Sequence, residues 1–89
     1  MDKQKLREQL QDLHTELQQV ESLDAGEREM LQNLAKDVQK VLRQEGDQTQ
    51  QYTSLGDRLR EVVAQVEASH PRVTLLMRQV IDELAYMGI

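Results

Sequence analysis

Apolar residues near the start of the chain recur at alternating intervals of four and three residues. Two apolar positions per heptad form a seam that is narrower than the face a globular helix usually buries. The spacing predicts a coiled-coil-like helix over residues 2–21. We expect its seam to lie at an interface, and the candidate residues are Leu6, Leu10, Leu13 and Leu17.

A second helix is predicted over residues 25–44. Asp24 is a candidate N-cap, and Glu27 stands at the third helical position, which is the spacing of a capping box. The seam spacing then returns at Leu31, Leu34, Val38 and Val41. A turn before residue 25 would fold the two helices into an antiparallel hairpin.

The middle of the chain predicts a linker over residues 45–54, because glycine and a cluster of glutamines separate two apolar patterns there. Ser54 is then a candidate N-cap for a third helix over residues 55–68, with Asp57 at its third position. The apolar residues of that helix are Leu55, Leu59, Val62, Val63 and Val66.

Pro71 predicts a boundary between the third helix and a fourth over residues 71–87. Proline lacks an N–H group and disfavours the helical conformation at His70, so one helix stops and another starts here, capped by Ser69 or His70. The apolar face of the fourth helix is broad and comprises Val73, Leu76, Met77, Val80, Ile81, Leu84 and Met87.

The last residues predict the end of this helix. Gly88 suits the left-handed position that follows many helices, and we expect Ile89 to fold back onto Leu84. Residues 1–89 thus predict one all-α domain, an antiparallel hairpin of helices 1 and 2 plus two further helices, similar to a four-helix bundle. The chain has no Phe and no Trp, so its core is aliphatic, and we expect a homodimer to complete it.

Charge and composition exclude several classes of function. The net charge is -5, with 11 basic and 16 acidic residues interspersed, so nucleic acid is a poor candidate partner. The chain lacks cysteine, which excludes disulfides and thiolate metal sites. No stretch is apolar enough to span a membrane and the start has no apolar leader, so we expect a soluble cytoplasmic protein.

Candidate chemistry is sparse, and we expect neither enzymatic activity nor a cofactor. Glu67 and His70 match half of the carboxylate and histidine element of di-iron bundles, so they are the candidate metal ligands. The alternative is that His70 only caps a helix and that no metal binds. His14 follows Leu13 in sequence and is expected at the edge of the seam.

The back of the fourth helix carries large apolar residues where solvent is expected. Its residues follow helical spacing and are candidates for an interface with a second copy or another protein: Leu75, Gln79, Asp82 and Tyr86. Isolated apolar residues on a surface are the alternative. Peripheral membrane attachment through this helix is a further alternative, although Asp82 and Glu83 accompany Arg72 and Arg78 there.

Both ends of the chain carry a family resemblance. The pairs Leu13-His14, Leu23-Asp24 and His70-Pro71 and the terminal Met87-Gly88-Ile89 resemble the small bacterial proteins grouped as domain of unknown function 4404. The resemblance implies a helical protein and supplies no catalytic residue. We therefore expect a self-associating interaction or regulatory module, with a metal-binding bundle or a peripheral membrane protein as alternatives.

Overall fold

Four helices make up the computed structural model, which describes residues 3–21, 24–43 and 48–88. In chain order they are α1 Lys3–Gln19, α2 Ala25–Leu42, α3 Gln48–Val66 and α4 Pro71–Tyr86. The described ranges contain no strand, which confirms the predicted all-α class. Two helices end slightly earlier than the sequence predicts, because Val20 and Glu21 lie beyond the end of α1 and the turn after Val66 lies beyond the end of α3.

The helices form a closed ring. Each packs against its neighbour in sequence, and α1 also packs against α4. The Arg7 guanidinium donates to the Leu42 carbonyl oxygen at 2.9 Å, so the start of α1 lies beside the end of α2. The Lys5 Nζ atom lies 3.7 Å from Glu83 Oε1, so the start of α1 also lies beside the end of α4.

The seam of α1 faces the chain's own core. Its four leucines are at most 7% exposed and join one cluster with residues of the other three helices. Burying each contributes about 1.5–3 kcal/mol relative to exposure. Helices α2 and α4 of the same chain pack against α1 and cover these residues: Leu6, Leu10, Leu13 and Leu17.

The third helix begins earlier than the sequence predicts. Residues 48–54 belong to α3, so the predicted linker is wrong for that part, and residues 45–47 lie outside the described ranges. Tyr52 is 9% exposed and packs in the core. Glutamine is a fair helix former, and burial of Tyr52 and Leu55 stabilises these turns. Ser54 therefore lies inside α3 and is not its N-cap.

Caps set the remaining helix boundaries much as predicted. The Glu27 N–H donates to the Asp24 carboxylate at 2.9 Å, and α4 begins at Pro71. Behind it, the Ser69 and His70 N–H groups both donate to the Val66 carbonyl oxygen, at 3.1 and 2.8 Å. Local hydrogen bonds thus fix the corner between α3 and α4.

The end of α4 has the conformation that Gly88 predicts. Its φ is +83°, in the left-handed region that favours glycine. The Gly88 N–H donates to the Ala85 carbonyl oxygen at 3.0 Å. The predicted contact of Ile89 with Leu84 falls on a residue outside the described ranges.

Candidate functional site

The inner face of α4 is part of the core. Val73, Met77, Val80 and Leu84 are at most 3% exposed, and the other apolar residues of the predicted stripe pack half-buried against the same cluster: Leu76, Ile81 and Met87. The stripe therefore fills the bundle. Because the chain's own helices cover it, this face cannot also lie on a lipid surface in this fold.

The opposite side of α4 is exposed, and we call Leu75, Gln79, Asp82 and Tyr86 its outer face. All four residues are exposed. Leu75 is 57% and Tyr86 is 78% exposed, and they are the large hydrophobic side chains that the described residues leave in solvent. Their spacing of four, three and four residues equals that of a coiled-coil seam, so the outer face has the pattern of an interface.

The polar side chains of the outer face are available to form hydrogen bonds with a partner. Within the described residues, neither Gln79 nor Asp82 makes a side-chain hydrogen bond or ion pair. The nearby Arg78 is engaged elsewhere, since its Nη2 atom lies 2.7 Å from Glu67 Oε1. An amide with donor and acceptor atoms and a carboxylate therefore lie between two exposed apolar side chains.

The two candidate metal ligands have separate partners. Glu67 pairs with Arg78, and His70 Nε2 lies 2.6 Å from Glu27 Oε1. Across the described residues, no group of three or more His, Asp or Glu side chains is arranged to hold a metal ion. Glu67 and His70 therefore do not converge on one position within the described part of this chain.

The Glu27 and His70 pair joins helices that are not neighbours in the ring. Glu27 lies in the first turn of α2, and His70 occupies the N-cap position of α4 without making a side-chain capping bond. Their side chains are 16% and 15% exposed. The imidazole makes no other side-chain hydrogen bond to the described part of the chain. The pair thus links α2 to the corner before α4.

A groove of about 900 Å³ is lined by the end of α1, the residues just after it and α2 as far as Lys36. Leu17 and Leu31 contribute apolar surface, and Arg28 and Lys36 contribute cationic groups. The described residues that line it include no Ser, Thr or His. The described part of this lining therefore contributes neither a hydroxyl nucleophile nor an imidazole base.

Comparison with known proteins assigns the family. The described residues contain no helix that is long and apolar enough to cross a membrane. A family model described as Domain of unknown function (DUF4404) matches residues 6–89. The chain belongs to this family. The match confirms the resemblance carried by the two ends of the chain. Neither the curated proteins nor the solved structures give a match.

The DUF4404 description names no activity, so the residues themselves must carry the functional argument. Sequence reasoning found the outer face through its spacing, but it missed the contact of Glu27 with His70. The sequence identifies each residue as a capping group near the start of its own helix, and the two lie 43 positions apart. Only a ring that brings the starts of α2 and α4 to the same end could have suggested the pair.

Proposed function

We propose that the protein is a non-enzymatic helical module that works by binding through the outer face of α4. The observation that carries this proposal is the exposure of Leu75 and Tyr86, at 57% and 78%, on a stripe with seam spacing. Single exposed apolar residues are common on protein surfaces. Here two of them share one helix face with Gln79 and Asp82, whose polar groups have no partner among the described residues.

Covering this face would be favourable. Full burial of a leucine side chain contributes about 1.5–3 kcal/mol, and a tyrosine combines a large apolar ring with a hydroxyl that can bond at the edge of an interface. The metal-binding alternative lacks comparable support, since Glu67 and His70 are already paired with Arg78 and Glu27.

A photo-crosslinking amino acid in place of Tyr86, in the full-length chain expressed in its host, tests the proposal. We expect a covalent adduct that Leu75→Lys removes, because lysine would place a charge in the covered face. The same photo-crosslinker in place of Ala64, an exposed residue of α3, is the matched control and should give no adduct. The proposal fails if position 86 yields no adduct, or yields one that Leu75→Lys leaves unchanged.

A further inference from the structure

We propose that the outer face of α4 binds a second copy of the same chain, with the two α4 helices antiparallel. This inference rests on the proposed function and specifies its partner. In a symmetric dimer the same patch serves on both copies, so the patch must be complementary to itself. The outer face meets this requirement in one orientation.

The order of residues along the face gives the register. In antiparallel helix pairs with seam spacing, opposing positions have numbers with a constant sum. With the two-fold axis midway between Gln79 and Asp82, Leu75 lies opposite the partner's Tyr86, and Gln79 lies opposite the partner's Asp82. The two contacts between Leu75 and Tyr86 then lie at the ends of the interface, and the two contacts between Gln79 and Asp82 lie between them. In each of these central contacts the Gln amide can donate a hydrogen bond to the Asp carboxylate.

The parallel orientation lacks this complementarity. It would place Asp82 against the partner's Asp82 and thereby bring two carboxylates together at the centre of the contact, which is unfavourable. Arg78 would not relieve the repulsion, because it is held by Glu67 at 2.7 Å within its own chain. The charges of the outer face therefore favour the antiparallel dimer.

The dimer should be weak. Four side chains on one helix cover much less than the roughly 800 Å² per partner that stable interfaces bury. We expect a dissociation constant on the order of 10–100 µM, so dimers form where the protein is concentrated or held locally. Sedimentation equilibrium between about 10 and 500 µM covers this range. A monomer throughout would overturn the inference.

Charge substitutions at exposed positions test the register. Gln79→Glu places a second carboxylate opposite the partner's Asp82, and we expect it to weaken the dimer by about two- to fivefold over its two symmetric pairs. Adding Asp82→Lys turns both pairs into opposite charges and should restore or exceed the original affinity. In a parallel dimer the double variant would instead oppose Glu to Glu and Lys to Lys, and a further loss of affinity would overturn the antiparallel register.

Cysteine crosslinking supplies an independent test, because the chain contains no cysteine of its own. In the antiparallel dimer, two copies of position 75 lie about 16 Å apart along the helix axis. A short bismaleimide should therefore link Leu75→Cys to Tyr86→Cys in a mixture of the two variants, and should link neither variant to itself. Self-links within each single variant would indicate a parallel dimer and contradict the proposal.

The two proposals fail in different ways. Suppose that an adduct forms at position 86 in cells, that Leu75→Lys abolishes it, and that the purified protein nevertheless stays monomeric. The outer face would then still be a binding surface, but its partner would not be a second copy of the chain. The absence of any adduct at position 86 would remove the binding function itself. Circular dichroism and thermal unfolding of each variant establish that the fold is retained.

Discussion

His70 Nε2 and Glu27 Oε1 lie 2.6 Å apart and connect two helices that share no packed interface. The contact lies at the end of the bundle where α2 and α4 both begin, and each residue stands within the first turn of its helix or just before it. Thr74 adds to the corner, because its hydroxyl donates to the His70 carbonyl oxygen at 2.8 Å. The corner before α4 is thus held by bonds to both the side chain and the backbone of His70.

Loss of the imidazole should destabilise the bundle. We expect His70→Ala to lower the free energy of unfolding by about 1–2 kcal/mol, because it removes a charge-assisted hydrogen bond from a largely buried carboxylate. Since the His70 side chain makes no capping bond, the change does not also remove a cap. Urea unfolding gives the measurement, and His14→Ala, at a half-buried histidine of α1, is the matched control with an expected change within about 0.5 kcal/mol.

A double-mutant cycle with Glu27→Ala identifies the source of that loss. If the two side chains stabilise the fold through their contact, the double variant should be less destabilised than the sum of the single variants, with a coupling of about 0.5–2 kcal/mol. Additive effects would mean that the contact contributes nothing to stability.

The two tyrosines should behave oppositely. We expect Tyr52→Ala to cost about 2–4 kcal/mol, because it empties a site in the core, and Tyr86→Ala to change stability by less than about 0.5 kcal/mol at low protein concentration. Acrylamide quenching of tyrosine fluorescence gives a second readout. Tyr52, left alone in Tyr86→Phe, should be shielded, whereas equal quenching of the two tyrosines would contradict the early start of α3.

Two glycines should respond to alanine with opposite sign. Gly56 lies inside α3, where an added Cβ would meet Leu84 Cδ1 at an ordinary 3.6 Å. Gly56→Ala should therefore raise the free energy of unfolding by about 0.5–1 kcal/mol through helix propensity. Gly88→Ala should lower it by about 1 kcal/mol, because an L side chain disfavours a φ of +83° even with open space around it. Thermal unfolding measures both, and two changes of the same sign would contradict this structure.

Alanine substitution of a leucine in α1 and of a leucine in α4 should change stability by different amounts, because the first leucine is buried in the core and the second is exposed. Leu13 is fully buried, so we expect Leu13→Ala to cost about 2–5 kcal/mol at every protein concentration. Leu75→Ala should leave unfolding at low concentration almost unchanged. If the cost of Leu13→Ala appeared only at concentrations where dimers form, the seam of α1 would be covered by a second chain and not by α2 and α4.

Local chemistry explains the parts of the fold that the sequence predicts. Asp24, Pro71 and Gly88 act within one turn of their own positions, through a capping bond, a missing N–H and a left-handed φ. Such signals can be recognised from the sequence without knowledge of the tertiary structure. The outer face was likewise predictable, because helical spacing alone separates Leu75 and Tyr86 from the inner stripe.

Other features depend on distant parts of the chain. The linker prediction failed because α3 extends through Tyr52, whose burial requires core residues from other helices. The seam spacing of α1 indicated a covered face without identifying the covering helix. Glu83 is 8% exposed and sits 3.7 Å from Lys5, so its burial depends on a partner near the opposite end of the sequence. Spacing within one helix contains no information about such partners.

The packing of α1 against α4 also has a consequence for folding kinetics. Three of the four helix contacts join neighbours in sequence, whereas this one joins the two ends of the chain. Contacts between distant segments are the slow ones to form, because a long loop must close first. A circular permutant that links the end of α4 to the start of α1 and opens the chain between α2 and α3 would make that contact local. We expect such a permutant to keep the four-helix ring and to assemble it in a different order.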